Sequence, residues 1–143
     1  MLYSVDIRDY MQDKPATCSP ETPLLEAMQK IFNHRISGLC VVDENYNLVG
    51  MLSELDCLRG VLDATYQSGE GLGQAKDYMT TDLDVASLDE NIVSIASDML
   101  GKRQRRRPVV EDGKLIGQIT CRQLLRAVRE FSLVRQAKQN GTK

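Results

Sequence analysis

The sequence predicts an α/β (α+β) fold made of two copies of one small unit, packed together with pseudo-twofold symmetry. Four features of the 143 residues carry that prediction. Asp9-Tyr10-Met11 recurs 68 residues later as Asp77-Tyr78-Met79. The same offset maps Leu24, Ala27, Met28 and Ile31 onto Ile92, Ile95, Ala96 and Met99, and each set has the spacing of one helical face. It also maps Val41-Val42 onto Val109-Val110. One extra turn residue in the first copy then shifts the register, so that Gly50, Ser53 and Arg59 align with Gly117, Thr120 and Arg126. A helical stripe alone arises by chance; the stripe, the valine pair and the glycine in one order, twice, mark a duplication. A copy of about 60 residues buries too little surface to be comfortably stable alone, so the two are expected to pack on each other.

Each copy reads as the same string of elements. A short helical turn opens it (Val5–Met11, Gln74–Met79), and a short extended piece follows near Thr17-Cys18 and Val85-Ala86. A helix comes next; in the first copy Thr22 suits its cap and Pro23 its first position. Two strands follow, Gly38–Val42 with Leu48–Leu52, and Pro108–Val110 with Leu115–Ile119. The connecting turns carry Asn45, Asn47 and Gly113, residue types that tolerate positive φ. A helix closes each copy, Glu54–Thr65 and Cys121–Phe131. The repeats thus occupy residues 5–66 and 74–131. Residues 67–73, with three glycines, read as a flexible linker, and 132–143 as a helix end and polar tail that frays from Gln136. The closing helices keep apolar residues to spare, among them Leu55, Leu58 and Leu62, and Leu124, Leu125 and Phe131. Some cover the sheets, and the remainder offers a homodimer face.

Composition narrows the function. Hydrophobic residues make up 42% and charged residues 27%, which fits a globular chain rather than a disordered one. A net charge of −2 gives no general drive toward nucleic acid. The exception is the run Lys102, Arg103, Arg105, Arg106 and Arg107, which lacks interleaved aromatics, so nucleic-acid binding is the weakest reading. No C-x-x-C pair joins the four cysteines and His34 is the sole histidine, so zinc-ligand spacing is missing and buried thiols are expected. No phosphate-binding G-x-x-x-x-G-K-[ST] loop and no clustered carboxylates support catalysis, and the chain is expected not to be an enzyme. Charge interrupts the N-terminus before a signal-like apolar core develops, and no apolar run approaches the ~18 residues of a membrane span. A cytoplasmic protein is expected.

Written out, the doubled motifs are Gly38-Leu-Cys-Val-Val-Asp with Leu-Val-Gly50-Met-Leu-Ser53-Glu-Leu-Asp56, and Arg107-Pro-Val-Val-Glu with Leu-Ile-Gly117-Gln-Ile-Thr120-Cys-Arg-Gln123. Tyr78-Met79-Thr80 leads into the second. From about Val5 to Phe131 the chain resembles a tandem pair of cystathionine-β-synthase (CBS) domains, a Bateman module. The resemblance implies β-α-β-β-α repeats whose small mixed sheets face each other across a cleft, with helices outside. It implies a regulatory module, without required cofactor, that binds AMP, ADP, ATP or S-adenosylmethionine in that cleft and acts on a partner protein not named by the sequence. A ligand-free dimeric interaction scaffold is the competing reading.

The resemblance assigns Ser53 and Asp56 to the start of the second helix, with the Asp56 carboxylate accepting both ribose hydroxyls. Ser-x-x-Asp is equally a helix capping box, and both readings stand on the sequence. Thr120 and Gln123 occupy the second copy's equivalent place; an amide offers no anionic oxygen pair, so that site is expected to be weak or empty. Alternation along an extended segment puts Arg103, Arg105 and Arg107 on one side. Arg105 and Arg107 are then candidates for the phosphate, against the alternative that they pair with local acids such as Asp98 or Asp112. Ile36-Ser37-Gly38-Leu39 is expected beside the adenine, with Gly38 allowing close approach and Thr17 touching base or ribose. The alternative is that Ile36 and Leu39 are ordinary core residues.

Overall fold

The computed structural model describes residues 4–67 and 71–141. A 3-10 turn (Ile7–Asp9) leads to β1 (Gln12–Asp13), β2 (Thr17–Cys18), α1 (Leu24–His34), β3 (Gly38–Val42), β4 (Leu48–Ser53) and α2 (Glu54–Tyr66). The second half holds α3 (Ala75–Tyr78), α4 (Ile92–Lys102), β5 (Arg106–Glu111), β6 (Lys114–Thr120) and α5 (Cys121–Gly141). The strands form two three-stranded sheets, ordered β2-β3-β4 and β1-β6-β5. The first is mixed, with β2 parallel and β4 antiparallel to β3.

The chain divides into two compact units whose limits cut across the repeats. One holds Pro15–Asp84 with Asp112–Leu115; the other joins the N-terminal stretch up to Lys14 to Val85–Glu111 and the chain from Ile116 onward. Each repeat therefore lends its opening segment to the other repeat's core. Ile7 and Tyr10 are fully buried with Ile92, Ile95, Met99, Val109 and Ile119. Ala75, Tyr78 and Met79 pack with Leu24, Ala27, Ile31, Leu39 and Val41. The pairing repeats as well: Gln12 lies opposite Gln118, and its duplicate Thr80 opposite Met51.

These crossed segments explain the duplicated glycines. A Cβ on Gly117 would lie 2.5 Å from Met11 Cγ, and one on Gly50 would lie 2.6 Å from Met79 Sδ. The recurring Met and the recurring Gly are two ends of one contact. Tyr10 finishes the second-repeat core: its hydroxyl donates to the Ser4 carbonyl at 2.7 Å, and its ring meets Phe131 edge-on at 6.0 Å.

Several local expectations are corrected. Thr22 does not cap α1; its hydroxyl accepts the Ser19 N–H, and Pro23 takes the cap position without a side-chain bond. Tyr46, Asp112 and Gly113 carry the positive φ in the hairpin turns, not Asn45 or Asn47. The Asp43 carboxylate accepts the N–H groups of Asn45 and Asn47, which fixes that turn and leaves Tyr46 to take φ 66°. α5 runs on to Gly141 rather than ending at Phe131, because no helix breaker intervenes in a stretch rich in Arg, Leu, Gln and Ala. Of the glycine-rich linker, Ser68–Glu70 lie outside the described residues. Its end is tied down, since the Gly73 carbonyl accepts the Leu24 N–H at 2.9 Å.

Candidate ligand-binding site

β4 delivers Ser53 to the N-cap of α2. The Ser53 hydroxyl accepts the Asp56 N–H at 3.1 Å, and Asp56 Oδ2 accepts the Ser53 N–H at 2.9 Å. This is a reciprocal capping box, so the bland reading of Ser-x-x-Asp holds. Asp56 is 5% exposed, and a carboxylate is favoured there by the helix's positive end. Its second oxygen, Oδ1, is not part of the box; it lies 3.6 Å from the guanidinium of Arg59, one turn along. Arg59 was not foreseen as part of the site, although the i, i+3 spacing of Asp and Arg signals it.

β3 runs beside this corner. Gly38 pairs with Ser53, and the Ser37 carbonyl accepts the Glu54 N–H at 2.9 Å, so Ser37, Gly38, Ser53 and Asp56 are brought together. Thr17 sits on β2 opposite Cys40, two residues along from Gly38, and its carbonyl accepts from Lys30 at 3.1 Å. A cleft of ≈ 580 Å³ opens at the other end of β3, lined by Ser19, Lys30 and Asp43; of the candidate residues, only Thr17 reaches it.

Two expectations about the wall are revised. Gly38 is needed by the protein itself, since a Cβ there would meet the Leu52 carbonyl at 2.8 Å. Leu39 is fully buried in the core with Leu24, Ala27 and Val41, because strand alternation turns it toward the helices. It is removed from the ligand contacts. Ile36 is half-buried and packs against the same core.

The second repeat keeps the backbone and changes the chemistry. Thr120 accepts the Gln123 N–H at 3.0 Å, and the Cys121 N–H donates to the Arg105 carbonyl at 2.9 Å. Arg105 thus stands where the first repeat has Ser37, Arg106 where it has Gly38, and Arg107 where it has Leu39. The expected alternation of Arg103, Arg105 and Arg107 fails at Arg103, which ends α4 in a left-handed conformation (φ 56°), so the strand begins only at Arg106. Arg107 is 5% exposed and turned toward α4, where it donates to Asp98 at 2.7 Å and to Gln104 at 2.6 Å. The pairing with Asp98 takes Arg107 out of the phosphate role. Asp98 also meets Lys102 at 3.1 Å, and the two cations, Arg107 foremost, hold its carboxyl below the usual range. Arg105 is exposed.

This architecture, one α/β unit built twice with a capped carboxylate in one copy and an amide in the other, defines a tandem-repeat α/β module. The CBS domain family model matches residues 7–63 and again 75–130, and the chain belongs to that family. Its fold is similar to that of Arabidopsis thaliana CBSX2, crystallised in complex with AMP, with a TM-score of 0.80 and 28% identity over 90% of this chain and 99% of that one. It is also similar to the CBS domain pair of protein MJ0100 in complex with 5′-methylthioadenosine and S-adenosylmethionine, with a TM-score of 0.71 and 25% identity, covering 85% of this chain and 97% of that one. Bacillus subtilis YhcV is 29% identical over 88% of this chain and 86% of its own length. Other curated relatives are longer: the chain spans 39% of Methanocaldococcus jannaschii MJ1225 and 21% of inosine-5′-monophosphate dehydrogenase from the same organism. No helix among the described residues is long and apolar enough to cross a membrane.

Proposed function

We propose that this chain is a non-catalytic regulatory module that binds an adenosine-containing ligand (AMP, ADP, ATP or S-adenosylmethionine) and passes its occupancy to a partner protein, as a cytoplasmic homodimer. The carrying observation is Asp56: a covered carboxylate fixed at a helix N-terminus by one oxygen, with the other left for an incoming donor. A ribose diol supplies two such donors, and bonds to an ionised acceptor are the strong ones. In this reading Arg59 swings aside when the ligand arrives; its side chain is 64% exposed and free to do so. Ser53, Ser37, Gly38 and Thr17 frame the ribose and base, and Ile36 borders the base. Thr120 and Gln123 form the weaker second site. The AMP and the methylthioadenosine and S-adenosylmethionine seen with CBSX2 and MJ0100 support the choice of ligand class.

Ligand occupancy shifts a partner's binding only through differential affinity for two states of the module. The test is the melting temperature of protein stripped of copurified ligand, with each of the four compounds. Ligand at 100 times its dissociation constant adds about 2.7 kcal/mol. At this chain length that raises Tm by roughly 5–10 °C. Asp56→Ala abolishes the shift. An unchanged Tm with all four compounds rejects the reading and favours the second one, a ligand-free scaffold, whose support is that Ser53 and Asp56 already satisfy each other in the capping box.

A further inference from the structure

We propose that Arg59 sets the charge preference of the Asp56 site, favouring adenosine ligands that carry phosphate over adenosine itself and over S-adenosylmethionine. The inference rests on the ligand reading above and narrows it to nucleoside phosphates. Asp56 and Arg59 belong to one compact unit, together with Ser37, Gly38 and Thr17, so the contacts that matter lie within that unit. Arg59 is the one cation on α2, a single turn beyond the capped carboxylate. Its guanidinium lies 3.6 Å from Asp56 Oδ1, the oxygen outside the capping box. A ribose that donates to Oδ1 therefore takes the place of that guanidinium. The other acid within one turn of Arg59 on the helix is Asp63, four residues on, and the Tyr78 hydroxyl already donates to it.

What the ligand gives back to the displaced cation then separates the ligands. Adenosine is neutral and gives back nothing. The ion pair it breaks is a weak one, since the Arg59 side chain is 64% exposed. A 5′-phosphate gives back an anion carried on the same ribose, and a guanidinium grips phosphate oxygens two at a time. S-adenosylmethionine carries a sulfonium at its 5′ position, so it sets a positive charge beside Arg59 where AMP sets a negative one. The second repeat lacks this exchange. Arg126 duplicates Arg59 and is exposed, but Gln123 duplicates Asp56, so no carboxylate three residues back holds the guanidinium at the ribose position.

Calorimetric titration with adenosine, AMP and S-adenosylmethionine tests the assignment. The unmodified chain is expected to bind AMP roughly 10-fold or more tightly than adenosine, the order of one hydrogen bond to a charged group. Arg59→Gln is expected to erase most of that advantage by weakening AMP. The same variant is expected to tighten adenosine and S-adenosylmethionine by up to about 5-fold, because the competitor for Oδ1 is gone. Arg59→Lys keeps part of the AMP advantage, and Arg126→Gln keeps all of it. An AMP advantage that survives Arg59→Gln, or one that Arg126→Gln removes equally, overturns the proposal. So does tighter binding of S-adenosylmethionine than of AMP by the unmodified chain. In each of these cases adenosine still binds, and the ligand reading stands. Failure of the unmodified chain to bind either adenosine or AMP overturns both.

Discussion

Asp98, Gln104 and Arg107 form a polar cluster at the three positions where the first repeat has Lys30, Ile36 and Leu39. Arg107 is covered, and its Nε has no hydrogen-bond partner, so the cluster is incompletely satisfied. Buried ion pairs tend to be neutral or unfavourable against a well-packed apolar substitute, while an uncompensated buried charge is costly. Copying the first repeat with Gln104→Ile and Arg107→Leu is therefore expected to hold or raise Tm, whereas Asp98→Ala, which strands the guanidinium, lowers it. Thermal unfolding of the two variants checks the contrast, and a fall with the apolar pair shows the cluster to be a stabilising one. The thiols make a second test. Burial pushes Cys18 up to about 11, so above pH 9 the unfolded chain has lost a proton that the folded chain keeps. Stability is then present below pH 9 and declines as pH rises toward 11. In native protein Ellman's reagent is expected to react rapidly with Cys121 alone and with all four thiols after unfolding. The sequence announced the basic run and named Asp98 as a partner, yet it did not say which arginine turns inward, because that depends on where α4 stops and β5 begins.

At the scale of elements, the doubled Gly in Gly-hydrophobic-hydrophobic-Ser/Thr was legible as a motif, but its reason was not. The side chain that needs the space comes from Met79 for Gly50 and from Met11 for Gly117, both distant in sequence. Gly50→Ala and Gly117→Ala are each expected to destabilise by about 1–3 kcal/mol through overpacking. Denaturant titration measures this, and truncating the facing methionine to Ala in the same chain is expected to recover part of the loss. Gly60 makes an internal control. A Cβ there strikes Leu24 and lies 3.2 Å from Tyr78, while its duplicate, Ala127, is accommodated and buried. Ala127→Gly should thus cost stability and Gly60→Ala should cost it too. The helices were read from their 3.6-residue stripes, whereas β1 was missed because two polar residues, Gln12 and Asp13, carry no alternation to detect.

Across the whole molecule, duplication was visible in the sequence but the exchange of opening segments was not. Periodicity marks which residues are buried and is silent about which core receives them. Ile7 and Tyr10 complete the second-repeat core, and Ala75, Tyr78 and Met79 the first. Residues 1–70 and 71–143 expressed separately are expected to melt without a cooperative transition and to regain one when coexpressed. Two independent cooperative transitions from the separate halves contradict the crossed packing. The candidate residues divide in the same way: motif and register put Ser53, Asp56, Ser37 and Gly38 at one corner, where the structure has them, while Leu39 and Arg107 turn into packed surroundings, because the facing of a strand residue follows from its sheet.

The carboxylate of Asp56 as receptor for a ribose is tested most directly by comparing AMP with its 2′-deoxy analogue by calorimetry, in the unmodified chain and in Asp56→Asn. A hydrogen bond to a charged group contributes about 1.5–3 kcal/mol. The account predicts that the deoxy analogue binds roughly 10- to 150-fold more weakly to the unmodified chain, and that Asp56→Asn erases most of the difference. Equal affinity for the two nucleotides in the unmodified chain contradicts it.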